Sequence, residues 1–269
     1  MKLNDLGKNV EANVECVLAK AHASQDKLNA VVTFVDCEKQ IEEVKKLDQN
    51  LPLYGVPVAV KDNISTKGIR TTASSRILDN YVPVFDAHVI AKLKAAGAVV
   101  AVKTSMDELG MGGTNLNAYT GKVNNPYDFE RISGGSSGGS AALTAAGVVA
   151  LALGTDTGDS IRKPAAYCGV VGFKPTYGRI SRYGVIPYAS SLDHVGCFTT
   201  CVKDAAAALE VLAGRDDRDM TSSYEPVGHY AEALNSDLKG KRIAVLANVM
   251  DSIKDEAILK NFDVLCEKL

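Results

Sequence analysis

The sequence predicts an α/β protein, with a central sheet whose strands are joined by helical crossovers. Amphipathic segments of helical period alternate along the chain with short, almost wholly apolar runs such as VPVAV and AVVAV, the rhythm of crossover-connected strands. At 269 residues, 46% hydrophobic and 23% charged, the chain is large enough to bury a core without covalent or metal staples. A serine/glycine loop, GGSSGGS, stands immediately before a segment of small apolar residues. That pattern reads as a loop feeding a helix.

In chain order, residues 1–50 read as helical, with apolar positions recurring at Val10, Val14 and Ala21. A β-rich stretch at 28–35 interrupts them, and a charged helix over 38–47 follows. Pro52 and Pro57 bound a strand running into Lys61, positions that suit a sheet edge or a strand start. Residues 69–80 read as loop, and 86–97 as a helix capped by Asp86 and ended by Gly97. AVVAVKT is a buried strand. The Gly/Asn/Tyr-rich stretch 106–128 is a loop long enough to suggest a functional role. A helix over 140–147 and a strand over 148–153 lead to Ser160, and Pro164 suits the first turn of a short helix ending at Cys168. Short β segments alternate with turns through 170–196. A helix over 204–212 with Asp204 as its capping acid follows, then a polar loop, a strand at KRIAVLAN and a last helix from Asp255. The chain reads as one domain over 1–269. It stops within the αβ rhythm, so incompleteness toward the C-terminus is expected.

Composition excludes several classes. Thirty basic against 32 acidic residues leave a net charge of −2, with no electrostatic footprint for nucleic acid. The N-terminus does not read as a secretory leader, and the longest apolar run is too short for a bilayer, so no membrane association is expected. Six cysteines without CxxC pairs or histidine companions predict reduced thiols in a cytoplasmic protein and no metal site.

Three residues stand out chemically. Lys61 ends a strongly apolar run, where burial would lower its pKa and make it a base; an amine there can equally reach solvent or pair with Asp62. Ser136 and Ser160 stand among glycines, which let a backbone approach a ligand and present its amides, although GGSSGGS alone is also a flexible loop. The run lacks the lysine of a phosphate loop. A serine needs a base to attack an amide. His22, His88, His194 and His229 are poorly placed in sequence, and no GxSxG elbow occurs. Lysine is the remaining candidate, in a Ser–Lys variation on the catalytic triad.

On GGSSGGSAA, DTGDSIRKPA and the intervals of 75 and 24 residues between Lys61, Ser136 and Ser160, the chain resembles the amidase signature family. KDNISTKGIRTTASS, KTSMDELGMGG and PTYGRISRYGVIPYASSLDHVG are similar to the branch that serves as glutaminase component in tRNA-dependent amidotransferases. The resemblance covers about residues 10–269, the front part of the usual family length. It implies a mixed central sheet covered by helices on both faces, and a Ser–cis-Ser–Lys triad: nucleophile Ser160, relay Ser136 after a cis peptide, base Lys61. It further implies an oxyanion hole from the amides of Thr157, Gly158, Asp159 and Ser160, braced by Asp156 and Arg162. The implied partners are a B-type kinase/transamidase subunit that binds tRNA and a small wrapping C-type subunit. Glutamine is the implied substrate. No cofactor is implied for this chain; ATP and Mg would act in the partner, and tRNA would be met indirectly. Asp159 departs from the family's usual glycine and is expected to turn away toward Arg162 or Lys163. Cys197 stands where proline is usual, and His194 where glutamine is common. A stand-alone amidase for small amides and a catalytically impaired scaffold remain alternatives.

Overall fold

The structure, a computed structural model, describes residues 1–234 and 239–269. Its elements run α1 (Val10–Leu28), β1 (Val31–Phe34), α2 (Glu38–Val44), β2 (Pro57–Lys61), α3 (His88–Ala95), β3 (Val99–Thr104), β4 (Asn124–Asn125), β5 (Asp128–Ile132), α4 (Gly138–Ala145), β6 (Leu151–Asp156), α5 (Arg162–Tyr167), β7 (Val171–Phe173), β8 (His194–Thr199), α6 (Val202–Leu212) and α7 (Tyr230–Ala233), then α8 (Ala247–Met250) and α9 (Glu256–Lys268). The chain divides into two compact units, Met1–Ala231 and Glu232–Leu269.

The first unit is built on a six-stranded mixed sheet of order β1-β3-β2-β6-β8-β7. β3, β2 and β6 run parallel, and antiparallel neighbours flank them on both sides. Every residue of β2, β3 and β6 is buried. Side chains alternate between the two faces of a strand, so both faces are covered, which is why these strands read as continuous apolar runs rather than as alternation. Pro57 is the first residue of β2 and sits in mid-sheet order, where a missing N–H is tolerated because the strand only begins there. Among the described residues no helix is long and apolar enough to cross a membrane.

α4 shows why small residues fill the segment after the serine loop. Gly138 through Thr144 are all buried. Ser140 Oγ donates to the Leu153 carbonyl at 2.8 Å and lies 2.7 Å from Thr104 Oγ1, so the helix is seated directly on the strands. A Cβ on Gly139 would fall 2.6 Å from the carbonyl oxygens of Ala30 and Ser105.

Several expectations shift. The helix after the serine loop starts at Gly138, and the following strand spans Leu151–Asp156 rather than 148–153. Asp86 does not cap α3, whose N-cap position is Ala87; its carboxylate takes the Lys67 amide and the Lys94 amine, both at 2.8 Å. Gly97 does end that helix, at φ +86° and against Tyr54. Asp204 is likewise not a cap. Cys201 holds that position, and Asp204 accepts the Leu3 amide at 3.0 Å, tying the N-terminus to α6. The loop at 106–128 contains a 3₁₀ turn and two-residue β4, which pairs with β5.

In the second unit, KRIAVLAN is not a strand. Residues 241–246 have no regular structure and Ala247–Met250 are helical. A strand exists by its ladder, and no described residue pairs with this segment. Ile243, Val245 and Leu246 are exposed. α9 forms as expected, with Asp255 Oδ1 accepting the Ala257 and Ile258 amides at 2.9 and 3.1 Å.

Candidate active site

Lys61 closes β2 and is fully buried. Its Nζ donates to Ser136 Oγ at 2.7 Å and to the Thr155 carbonyl at 3.3 Å. Asp62 is not its partner: that carboxylate lies 3.4 Å from Lys103 Nζ, and both of those groups are fully buried too. Burial, which penalises an ammonium, pushes the Lys61 amine from its ordinary 10.5 down to about 7, against the opposing pull of Asp107, Asp156 and Asp193. The amine therefore changes protonation near neutral pH.

Ser136 follows a cis peptide bond from Gly135 and precedes α4. Gly135 has no room for a side chain, because a Cβ there would lie 1.9 Å from Asp107 Oδ2. The neighbouring Ser137 binds the same carbonyl as Lys61: its Oγ reaches the Thr155 oxygen at 3.1 Å. The Ser137 amide donates to the Ser160 carbonyl at 3.2 Å, which ties the two serine loops together.

Ser160 lies in the turn after β6, is 5% exposed, and its hydroxyl takes no hydrogen bond among the described residues. Lys61 and Ser136 are thus in contact, while Ser160 adjoins them through its backbone with no bond between the two hydroxyls. The amides of Thr157, Gly158, Asp159 and Ser160 also donate to no described acceptor. Four consecutive N–H donors at the end of a buried strand are thus left without a described acceptor.

That loop is braced from both ends. Asp156, fully buried, accepts Arg162 Nε and Nη2 at 3.1 and 3.0 Å and the Ile161 amide at 3.0 Å. Burial alone would raise its carboxyl; the guanidinium and the amides more than offset this and hold it below the usual range. Arg162 also reaches the Gly158 carbonyl. Thr157 Oγ1 donates to Asp193 Oδ1 at 2.5 Å. Asp159 turns to Lys163, Oδ2 to Nζ 2.5 Å, and its carbonyl takes the Lys163 amide at 2.8 Å; of the two expected partners the structure selects lysine. Among the residues touching this site, Asp107, Ser137 and Asp193 stand within the stretches that carry the family resemblance but are not singled out there, and Thr155 lies outside them.

Fold and site together define a protein of the amidase class. The chain belongs to the Amidase family, whose model matches residues 12–269. It is 48% identical over 255 residues to the A subunit of glutamyl-tRNA(Gln) amidotransferase from a Sulfurihydrogenibium species, an alignment covering 91% of this chain and 52% of that protein. The crystal structure of the corresponding A subunit from Thermotoga maritima superposes with a TM-score of 0.77 at 43% identity, over 84% of this chain and 49% of the other. Native peptide amidase from Stenotrophomonas maltophilia gives 0.78 at 35% identity, over 84% and 50%. The chain spans about half the length of the curated relatives it matches.

Proposed function

We propose that this chain carries the glutamine-hydrolysing centre of a tRNA-dependent amidotransferase. The observation that carries the reading is the 2.7 Å contact of a fully buried lysine amine with Ser136, beside four undonated amides leading to Ser160. A neutral Lys61 takes the Ser136 proton as Ser136 takes that of Ser160, and Ser160 Oγ bonds to the side-chain carbonyl carbon of glutamine. The amides of residues 157–160 receive the oxyanion; each such donor is typically worth about 3–4 kcal/mol in the transition state. The proton returns through Ser136 to the departing nitrogen, the C–N bond breaks and ammonia leaves. Water then cleaves the acyl-serine by the same relay to release glutamate. Asp156 and Arg162 keep the loop in shape throughout.

In the assembled enzyme the ammonia passes to a B-type subunit that binds tRNA and uses ATP and Mg, with a small C-type subunit wrapped about both. The names of the relatives and the near-neutral charge of this chain support that division of labour. The test is ammonia release from glutamine by wild type, Ser160→Ala and Lys61→Ala with candidate partner subunits present. Both variants are expected to lose at least about a hundredfold. Equal rates in all three would sink the reading, and ammonia from simple aliphatic amides alone would favour a stand-alone amidase.

A further inference from the structure

An ammonium at Lys61, cut off from water, needs a counter-charge. Most carboxylates near it are already committed. Asp62, next in the chain, faces Lys103 one strand over. Asp156, at the end of β6, is engaged by Arg162, and Asp159 by Lys163. Two remain, from separate loops, and neither has a cation in ion-pair contact among the described residues. Asp107, in the loop after β3, is fully buried; its Oδ2 accepts the Thr114 and Asn115 amides at 3.2 and 2.9 Å, and its Oδ1 has no partner. Asp193, just before β8, is 5% exposed and accepts Thr157 Oγ1 together with the Tyr188 amide at 2.9 Å and the Ala189 amide at 3.1 Å. Arg182, which shares a cavity wall with Asp193, is itself paired with Asp219 at 2.9 Å. Lys174 lies 3.2 Å from His194 Nε2.

Both anions are built into the lysine's surroundings. The Asp107 amide donates to the Ser136 carbonyl at 3.2 Å, and its carboxylate lies against Gly135, where a Cβ would collide with it. Asp193 holds Thr157, two residues beyond the carbonyl that Lys61 binds. We propose that Asp107 and Asp193 are positioning residues that together supply the counter-charge of the Lys61 ammonium, keeping it available between proton transfers. The direction of their electrostatic effect agrees: burial disfavours the protonated amine and each of the two favours it, as Asp156 also does despite its pairing with Arg162. The assignment rests on the reading of Lys61 as the base, yet it concerns the lysine's own titration and can be tested without turnover.

The experiment is a pH titration by NMR of protein labelled with 13Cε-lysine, the Lys61 resonance being identified by its loss in Lys61→Arg. Asp107→Asn keeps an oxygen for the two amides and removes the charge; Asp193→Asn keeps an acceptor for Thr157. Each is expected to lower the Lys61 pKa by about one pH unit, and the double variant by more. An unchanged Lys61 pKa in both folded variants overturns the proposal, and a shift in only one overturns the pairing. Should Asp107→Asn fail to fold, Asp107→Ser, which also removes the charge and keeps an oxygen, takes its place in the comparison. If Lys61→Ala retains glutamine hydrolysis, the base role falls on that separate assay while the titration still decides the counter-charge.

Discussion

Replacing Lys61 by methionine isolates what a buried amine costs this fold. Methionine is close to lysine in length and does not titrate. Burial takes the lysine from 10.5 to about 7. Between those values the unfolded chain binds a proton that the folded chain does not, so wild-type stability climbs by about 1.36 kcal/mol per pH unit across the window. Below about pH 7 both states are protonated and the penalty is full and constant. The whole window is worth roughly 5 kcal/mol, and the accessible part, from pH 6 to 9.5, about 3 kcal/mol. The lost bonds to Ser136 and Thr155 add an offset that does not vary with pH, and titrations common to both proteins, including that of Lys103, cancel. The stability of wild type relative to Lys61→Met is therefore expected to rise by about 3 kcal/mol between pH 6 and 9.5, measured by urea unfolding at several pH values. Parallel pH profiles for the two proteins would refute the buried, depressed amine.

Two further substitutions probe the loop between β6 and α5. Lys163→Ala releases the half-exposed Asp159 carboxylate beside the proposed oxyanion amides. The added repulsion of about 1 kcal/mol is expected to slow ammonia release roughly fivefold, with recovery in Asp159→Gly/Lys163→Ala; absence of recovery would show that Lys163 does not act through that carboxylate. Arg162→Ala strips the cation from fully buried Asp156. Since Arg162 is itself half-exposed, the expected loss is about 2 kcal/mol rather than the full cost of breaking a buried pair. Because the Asp156 carboxyl is held low in the fold, that loss should be present at neutral pH and shrink as the pH falls below about 4, measured by denaturant titration.

The parts of the fold legible in sequence are those where pattern and environment agree. β2 and β3 announce themselves because both faces are covered, which turns alternation into an unbroken apolar run. What pattern cannot carry is pairing: nothing local in HVGCFT says that β8 inserts antiparallel between β6 and β7. Caps fail for a related reason. Asp86 and Asp204 are sound capping residues by type, yet each is drawn to a more distant group, Lys67 with Lys94 in one case and the Leu3 amide in the other. KRIAVLAN has the composition of a strand, but a strand also needs a neighbour, and composition does not name one.

The site exposes a sharper limit. One lysine ends β2 and another stands one residue before the end of β3, and by the criterion that singles out Lys61 the sequence of β3 nominates Lys103 equally well. Register separates them: Lys103 pairs across the ladder with Val60, and Lys61 with Thr104. With side chains alternating along each strand, that one-residue offset directs the two amines to opposite faces of the sheet. Lys103 meets the Ile64 carbonyl, the Thr71 hydroxyl and, as an ion pair, Asp62, whereas Lys61 meets Ser136 and a backbone carbonyl, with no anion in contact among the described residues. Burial lowers both amines, so burial alone does not mark the proposed base. The distinguishing feature is that only Lys61 touches a hydroxyl on the loop tied to Ser160. A residue's chemistry here is set by the strand face on which it stands, and that is decided by ladder register.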